Sequence, residues 1–470
     1  MRPDTEKRPR PGPLKARPGP LKKGEMSGPS IGPGDARENA ELQGRPPLYF
    51  WGGTSRLRMD ADVATPIGST PEERAGETHA GDLVEGLPPA ENKKFYPALD
   101  GLRAVAVLMV FCQHYMEHPG YLRWGWTGVN IFFVLSGFLI TGILYDTRDA
   151  PNRFRTFYVR RTLRIFPLYY GVLLLGLLLT PVFHWVWHPV WLLWLVYLGN
   201  YGRFLWMHDF QTLPYLLDHL LSGWRMNPPM VFYLGHFWSL CVEEQFYLAW
   251  PLVVFFVRDR IRLRNICIGA FFVCLAARCV CGWLLPRDLL SAGFLDRVTP
   301  LRVDSLLLGG LLALCLRGPE AAWIKRCARP VMATVGCLFV AMQVFYLVTT
   351  HHLYDADRGA WWTETIGLSL IDLFAAALVL RSIDDGSTIY RLLGRRWLRR
   401  LGQMSYGFYV FHDIPHVAYT KLVFYVTRNR VAHTAWMVDL LALFGTTVLA
   451  YLSFRFFEAP FLRLKDRFTA

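Results

Sequence analysis

The chain has 470 residues, of which 53% are hydrophobic, 15% are aromatic and only 19% are charged. Soluble proteins have about a quarter of their residues charged, so this composition excludes an ordinary soluble protein. The apolar residues form runs that approach the roughly 20 residues of a membrane-spanning helix. Although the formal net charge is +14, the arginines cluster in short loops between these runs. That is the positive-inside pattern of membrane proteins rather than a nucleic-acid-binding patch.

Residues 1–94 differ in composition from the rest of the chain. They are rich in Pro, Gly and charged residues, and PGPLK occurs at Pro11–Lys15 and again at Pro18–Lys22. Such a segment cannot bury enough apolar surface to offset its ordering entropy. We therefore predict a disordered basic tail, which either contacts anionic lipid or has no function. Met26 and Met59 are alternative starts.

Residues 95–462 are predicted to form an all-α polytopic membrane domain with about ten transmembrane helices. Segment 187–200 is also apolar, but about 14 helical residues reach only about 21 Å, less than the roughly 30 Å hydrocarbon core. The ten spans predicted from hydropathy windows are 98–116, 126–145, 165–183, 237–257, 265–285, 301–317, 330–350, 363–382, 403–424 and 435–456.

Five basic segments decide the predicted topology. If 187–200 does not cross, all five lie on one side, which the positive-inside rule assigns to the cytoplasm. We therefore predict that 187–200 is re-entrant or interfacial. Both termini, including a short tail at 463–470, are predicted to be cytoplasmic. The five segments are 146–164, 258–264, 317–329, 391–400 and 463–467.

The first predicted span carries two ionisable side chains, Arg103 and His114. Eleven positions make about three helical turns, so both lie near one face, about 16 Å apart along the axis. Ionisable residues inside a membrane usually face the bundle interior, a partner or a water-filled cavity. A lone histidine is normally a satisfied core residue, but the shared face with Arg103 leaves a functional role open for His114.

Arg160, Arg161 and Arg164 form a dense cationic turn where the third span enters the membrane. Arg161 and Arg164 are three residues apart, so they lie on one side of a helix. Guanidinium groups can bind phosphate bidentately. The alternative is a positive-inside anchor whose side chains reach the lipid headgroups.

Glu243 and Glu244 lie inside an apolar span, and His236 comes just before it. Carboxylates at this depth are costly unless they are paired or hydrated. We predict that they pair with Arg103, Arg302 or another buried cation, and both a catalytic and a structural role stay open.

Polar residues also mark a later span. Arg302 and Asp304 lie at its start, and Gly309 and Gly310 follow within it. Small residues let helix backbones approach closely in membranes. We therefore predict a tight helix contact at the two glycines.

The stretch Leu401–His416 places Ser405, Tyr406, His412 and Asp413 in an apolar span. Because His412 and Asp413 are sequence neighbours, they point to different sides of a helix. This spacing argues against a simple His–Asp dyad.

Six stretches arrive in the order seen in the acyltransferase 3 family. The chain from about 95 to 460 resembles this family of bacterial integral-membrane O-acyltransferases, which includes O-antigen and peptidoglycan O-acetylases. The six stretches are LDGLRAVAVLMVFCQHY, GVNIFFVLSGFLIT, FYVRRTLRIFPLYY, FWSLCVEEQFYLAW, LRVDSLLLGGLLA and LGQMSYGFYVFH.

Individual family motifs match individual residues of this chain. The arginine–ten-residue–histidine motif matches Arg103 and His114, and the Arg-x-x-Arg motif matches Arg161 and Arg164. The Ser-Leu-Ser-x-Glu-x-Gln-Phe-Tyr motif matches Ser239–Tyr247. The third residue of that motif is cysteine here instead of serine, which is a small and nearly isosteric change.

The resemblance implies that His114, Arg103 and Glu243 are catalytic. His114 would act as a general base on the acceptor hydroxyl, with an acyl-histidine intermediate as the open alternative. Arg103 would stabilise the oxyanion or hold donor phosphates, and Glu243 would orient His114 or Arg103. The predicted donor-binding residues are Arg160, Arg161 and Arg164, and the predicted supporting residues are Ser239, Glu244, Tyr247, Arg302, Asp304 and His412.

The family also implies the substrates and the location. It implies transfer of an acyl group, commonly acetyl from acetyl-CoA, to a hydroxyl of an envelope glycan or a lipid-linked sugar. The expected location is the bacterial inner membrane, where the protein contacts lipid, acyl-CoA and a sugar or glycolipid acceptor. It would work alone or with polysaccharide-biosynthesis proteins. No bound cofactor and no nucleic acid are expected.

A proton-coupled transporter or flippase of an envelope precursor is the alternative from another class, because buried Arg, His and Glu also mark such pathways. Many transporters contain inverted repeats, and no internal repeat is visible in this sequence. The histidines lack the compact spacing of zinc ligands. The nine cysteines are scattered without a CxxC, so neither a metal site nor a disulfide framework is predicted.

Overall fold

The computed structural model describes residues 96–116, 123–183, 185, 191–202, 204, 234–286, 289–290, 293–350, 363–427, 435–465 and 467–468. All regular elements in these ranges are helical, as the sequence predicts. The tail predicted at 1–94 lies outside the described residues.

The α-helices are numbered in chain order, and short 3-10 or π-helical turns are left unnumbered. They are α1 Pro97–Tyr115, α2 Thr127–Asp146, α3 Arg153–Phe183, α4 Leu192–Leu195, α5 Trp238–Phe256, α6 Arg260–Leu284, α7 Phe294–Arg297, α8 Thr299–Cys315, α9 Ala321–Thr350, α10 Leu368–Ser382, α11 Thr388–Leu393, α12 Arg396–Gln403, α13 Ser405–Phe411, α14 His416–Val426, α15 Ala435–Leu452 and α16 Ala459–Lys465.

Among the described residues, seven helical segments are long and apolar enough to cross a membrane. They confirm a multi-pass membrane protein. Three of the ten predicted spans are absent from this set. Span 98–116 is α1, an apolar helix that carries the buried Asp100 and Arg103. Span 301–317 is the 17-residue α8, and span 403–424 is interrupted between α13 and α14. The number of crossings stays a prediction.

One predicted boundary needs correction, and one predicted placement is not tested. The third span was expected from residue 165, but α3 already begins at Arg153. The arginine turn therefore lies within the helix, because its apolar neighbours Phe157 and Ile165 are buried and continue the helical pattern. In the described part of 187–200, α4 is a four-residue α-helix, and Gly199 and Asn200 are also helical. The re-entrant or interfacial placement of this segment stays a prediction.

The helices divide into a buried centre and an apolar periphery. In an apolar 18-residue stretch of the segments that contain α2 and α10, 72% is buried inside the protein. In the corresponding stretches of the segments that contain α9 and α15, the buried share is 17%. The peripheral helices expose large apolar side chains such as Leu178, Trp283, Phe345 and Phe444. A soluble monomer rarely exposes so much contiguous apolar surface, so this surface is suited to contact with lipid.

Helices α2 and α8 pack closely at the centre of the bundle. A Cβ atom at Gly137 would clash with the carbonyl oxygen of Leu306, and a Cβ atom at Gly309 would clash with that of Val134. Each helix thus uses a glycine where the backbone of the other passes. This contact confirms the tight packing predicted at Gly309.

Ion pairs join several helix ends on one side of the bundle. Arg317 donates two hydrogen bonds of 2.6 Å to Asp146, which connects the ends of α8 and α2. Arg260 donates to Glu320 at 2.9 Å, which connects the start of α6 to the segment before α9. Three of the basic segments therefore lie at one end, as predicted, and their assignment to the cytoplasm stays a prediction.

Candidate active site

A partly open cleft of about 100 Å³ lies between α1, α2, α3, α5 and α13. One wall is apolar and includes Phe132, Leu135 and Leu139, whereas the other carries charged and hydroxyl groups. We call this space the arginine cavity. The predicted site residues in its walls are Arg103, Arg161, Arg164, Ser239, Glu243, Glu244 and Tyr247.

Helical spacing brings the polar residues of α5 to the cavity. Ser239, Glu243 and Tyr247 are four residues apart in turn, so they form one stripe along the helix. Arg161 and Arg164 are three apart on α3 and form the facing stripe. Two helices that cross at these stripes therefore place basic and acidic groups opposite each other.

The arginines of the cavity are held by different contacts. Arg103 donates from Nη1 to Asp100 Oδ1 at 2.9 Å, within the first turns of α1. The guanidinium of Arg161 lies 5.0 Å from the centre of the Tyr247 ring, which is a cation–π distance. Arg161 also interacts electrostatically with Glu243 and Glu244.

Glu243 lies at the centre of these charges. It interacts with Ser136 and, electrostatically, with Arg161, Arg164 and Arg103. Ser136 is also hydrogen-bonded to the hydroxyl of the tyrosine at the next step of the α5 stripe. Three guanidinium groups face two carboxylates in the cavity, so the cavity is suited to an anionic ligand.

Arg160 is not among the residues that line the arginine cavity. Its Nη1 donates to the carbonyl oxygen of Phe468 at 2.7 Å instead. It is adjacent to Arg161 in sequence, so the helical rotation of about 100° per residue turns it to another face of α3. The structure thus brings two of the three predicted donor-binding arginines together.

His114 is also absent from the cavity lining, although it shares α1 with Arg103. Its ring centre lies 4.8 Å from that of His412, which in turn lies 4.8 Å from that of His236. Asp413 Oδ2 lies 3.6 Å from His236 Nδ1, and its Oδ1 lies 3.8 Å from His416 Nδ1. We call these five residues the histidine cluster.

Tyr409 separates the histidine cluster from the arginine cavity. Its side chain lines the cavity, while its ring centre lies 5.4 Å from that of His412 and 5.7 Å from that of His236. Its hydroxyl donates to the carbonyl oxygen of His236 at 2.7 Å and lies 2.6 Å from Ser239 Oγ. One side chain therefore contacts both polar regions.

Three residues of this region have no role predicted from the sequence. His236 precedes α5 and enters the cluster only because α13 packs nearby. Asp413 is a sequence neighbour of His412, yet its carboxylate faces two other histidines. Tyr409 could have been found from its helical position, because it lies four residues after Ser405 and three before His412.

Arg302 and Asp304 belong to a different polar network. Arg278 Nη2 lies 2.7 Å from Asp304 Oδ2, and Arg302 Nη1 lies 3.6 Å from Asp372 Oδ2. All four side chains are at most 1% exposed. Of the cations predicted to pair with the glutamates of α5, Arg302 has Asp372 as its acidic neighbour instead, whereas Arg103 interacts with Glu243.

This buried network lies behind the wall of the arginine cavity and contacts that wall at Phe133. The guanidinium of Arg302 lies 5.4 Å from the centre of the Phe133 ring, and Phe133 lines the cavity. Asn130 and Ser305 donate to the two oxygens of Asp372 at 2.6 and 2.8 Å. Arg302 and Asp304 therefore support the fold behind the site.

In the parts of the chain that are described, no group of three or more His, Cys, Asp or Glu residues is arranged as a metal site. All nine cysteines are free thiols. Cys241, at the position that differs from the family motif, is fully buried on α5. Its place in the core fits a small apolar role.

The fold and the site define a multi-pass membrane protein with a basic internal cavity. The sequence profile of the acyltransferase 3 family, described as an acyltransferase domain, matches residues 96–455. The chain belongs to this family and carries its membrane acyltransferase domain. No solved structure matches the chain.

Curated relatives resemble the same part of the chain. It is 27% identical over 385 residues to "O-acetyltransferase OatA" of Staphylococcus aureus strain NCTC 8325, covering 78% of this chain and 57% of the relative. It is 29% identical over 379 residues to "Putative peptidoglycan O-acetyltransferase YrhL" of Bacillus subtilis strain 168, covering 79% and 55%. For "Peptidoglycan O-acetyltransferase OatA" of Listeria monocytogenes strain EGD-e, the identity is 29% over 388 residues, covering 78% and 56%. The alignment thus spans a little over half of each relative.

Proposed function

We propose that this protein is an O-acetyltransferase of the bacterial inner membrane. It moves an acetyl group from an acyl-CoA, acetyl-CoA in the first instance, to a hydroxyl of a cell-envelope carbohydrate. The observation that carries the proposal is the meeting of Arg103, Arg161, Arg164 and Glu243 in one cavity, next to the cluster that contains His114. The printed names of the relatives support acetyl as the group and peptidoglycan as the first acceptor to test.

The arginine cavity provides the donor site of this proposal. Coenzyme A carries several phosphate charges, which guanidinium groups bind through charge-assisted hydrogen bonds. Arg161 and Arg164 hold these phosphates, and Glu243 holds the two guanidinium groups in place. Arg103 extends the basic surface, where it binds a further phosphate or the thioester oxygen.

His114 acts on the acceptor in this proposal. It removes the proton of the sugar hydroxyl as a general base. The hydroxyl oxygen then bonds to the thioester carbonyl carbon, the carbon–sulfur bond breaks, and coenzyme A leaves as its thiolate. Glu243 has Arg103, rather than His114, among its electrostatic partners, so it supports the donor side.

The proposal is tested by comparing the masses of envelope glycans from cells that make the wild type or His114→Ala at equal membrane levels. Cys112→Ala, a half-buried change on the same helix, is the matched control. We expect the wild type and Cys112→Ala to add an acetyl-sized mass that His114→Ala does not add. If wild-type cells instead accumulate a solute and no glycan gains an acyl group, the enzyme proposal fails and the transporter alternative takes its place.

A second experiment separates the two roles of His114. Membranes are incubated with acetyl-labelled acetyl-CoA in the absence of acceptor, quenched and digested for peptide mapping. A general base leaves the peptide that contains His114 unlabelled. An acetyl adduct on that peptide, absent from His114→Ala, would establish the acyl-histidine route.

A further inference from the structure

The histidine cluster contains more imidazole rings than one general base needs, and three of these rings contact one another in series. His114, His412 and His236 contact edge to face in sequence, with interplanar angles of 75° and 72°. His412 is fully buried and His236 is 4% exposed. Buried imidazoles and a carboxylate cost desolvation free energy that apolar side chains would not cost. Such a group calls for a chemical explanation.

Backbone contacts fix which nitrogen of each ring carries hydrogen. A carbonyl oxygen only accepts hydrogen bonds, so a ring nitrogen next to one must be the donor. His114 Nδ1 lies 2.9 Å from Val110 O, and His412 Nδ1 lies 2.6 Å from Tyr409 O. The other nitrogen, Nε2, is therefore the basic atom in both neutral rings.

His236 has the opposite arrangement. Its Nε2 lies 3.1 Å from Val410 O, so its basic atom is Nδ1, which faces Asp413 Oδ2 at 3.6 Å. The negative charge of the carboxylate therefore lies beside this ring. Asp413 also faces His416, whose side chain is 43% exposed whereas that of Asp413 is 6% exposed. The cluster thus runs from a buried base to an exposed imidazole.

We propose that His412, His236, Asp413 and His416 form a proton relay that returns His114 to its neutral form after each transfer. This inference rests on the proposed function. The acceptor hydroxyl gives its proton to His114, and His412 and His236 accept it in turn while Asp413 stabilises the charge. One proton then leaves from His416 to water, so the cluster ends each cycle with the protons that it had at the start.

Tyr115 helps to hold the relay in position. Its hydroxyl donates to the backbone oxygen of His412 at 2.6 Å, and its ring centre lies 4.8 Å from that of His416. The turn between α13 and α14 is thereby fixed to the end of α1. The relay residues act through His114, and so they are positioning and proton-accepting residues.

The test uses the full-length protein in membrane vesicles with acetyl-CoA and a soluble peptidoglycan fragment. His412→Ala should lower kcat about 100-fold, the lower range for proton transfer by a side chain, without changing KM for acetyl-CoA. Added imidazole should restore kcat, whereas pyrazole, which has the same shape and is a much weaker base, should not. Equal rescue by both would show that the ring only fills space and would overturn the relay.

Two further variants decide the question if His412→Ala does not fold. Asp413→Asn removes only the charge and should lower kcat, whereas Asp413→Glu should restore part of it. His416→Gln changes an exposed side chain and should also lower kcat, with Thr420→Ala one turn later on α14 as the matched control. Wild-type kcat in both Asp413→Asn and His416→Gln would overturn the relay.

Failure of the relay and failure of the proposed function give different results. If the wild type transfers no acetyl group, the proposed function fails. If the wild type transfers acetyl but His114→Ala is fully active, the function stands, and the role of His114 and the relay fail together. If the wild type transfers acetyl and His114→Ala does not, the three relay variants report on the relay alone.

Discussion

The hydroxyl oxygens of Tyr409 and Ser239 lie 2.6 Å apart at the boundary between the arginine cavity and the histidine cluster. Since Tyr409 donates to the backbone oxygen of His236 at 2.7 Å, Ser239 is the donor within the hydroxyl pair. This chain of hydrogen bonds connects α5 with α13. It also fixes the position of His236, which precedes α5 and belongs to the histidine cluster.

Tyr409→Phe tests this connection. The change removes the 2.7 Å hydrogen bond to the buried carbonyl oxygen of His236 and the 2.6 Å partner of Ser239, and leaves only a 3.5 Å contact between these two groups. The loss costs about 1–3 kcal/mol. We expect the free energy of unfolding in detergent to fall by this amount. Tyr425→Phe, at a residue that is 83% exposed, is the matched control and should change little.

A double-mutant cycle with Ser239→Ala completes this test. Because the two hydroxyl groups share one hydrogen bond, the double variant should lose less stability than the sum of the single variants. Strictly additive losses would mean that the two hydroxyl groups do not interact in solution.

Much of the arginine cavity could be predicted from local sequence. Arg161 and Arg164, like Ser239 and Glu243, are related by helical spacing, and buried charge indicates that such side chains meet a partner. Their common cavity follows once α3 and α5 pack. Which of the three arginines on α3 face the cavity depends on how α3 is rotated about its axis, and the sequence spacing does not determine this rotation.

The histidine cluster could not be predicted in the same way. His114, His236 and His412 come from three distant segments, and their contacts depend on how α1, α5 and α13 pack. The pairing of Arg302 with Asp372 has the same origin, because Asp372 lies on α10 and no motif singles it out. Hydropathy predicted seven helical segments that are long and apolar enough to span, and whether α1, α8 and the interrupted α13–α14 also cross stays a prediction.

Arg161→Gln and Arg160→Gln separate the donor site from a general basic surface. Hydrogen bonds to charged groups contribute about 1.5–3 kcal/mol, so Arg161→Gln should raise KM for acetyl-CoA about tenfold or more. Arg160→Gln should leave KM unchanged, because its contact is the backbone oxygen of Phe468. Initial rates against acetyl-CoA concentration measure both. An equal rise in the two variants would place donor binding outside the cavity.

The buried pair of Arg278 and Asp304 is expected to matter for folding. Arg278→Met leaves the aspartate without its 2.7 Å partner, and breaking a buried pair costs about 3–5 kcal/mol. We expect most of this variant to be lost from membranes. Arg262→Met, in a pair whose side chains are 80% and 49% exposed, should cost at most about 1 kcal/mol.

The double variant Arg278→Met/Asp304→Leu identifies the cause of the loss. Removing both charges avoids the unpaired buried carboxylate, so it should restore part of the folded protein relative to Arg278→Met. Quantitative blotting of detergent-soluble, monodisperse protein measures this. A double variant less stable than both single variants would show that the groups stabilise the fold through other contacts.

The glycine contact between α2 and α8 predicts opposite effects for the same substitution. Gly309→Ala forces its Cβ against the backbone oxygen of Val134, and overpacking of this kind costs about 1–3 kcal/mol. Gly269→Ala places its Cβ where no atom lies within 4 Å, so the better helix propensity of alanine should add roughly 0.5–1 kcal/mol. Denaturant unfolding in detergent measures both free energies. If Gly309→Ala were as stable as Gly269→Ala, the two central helices would have to lie further apart than the structure places them.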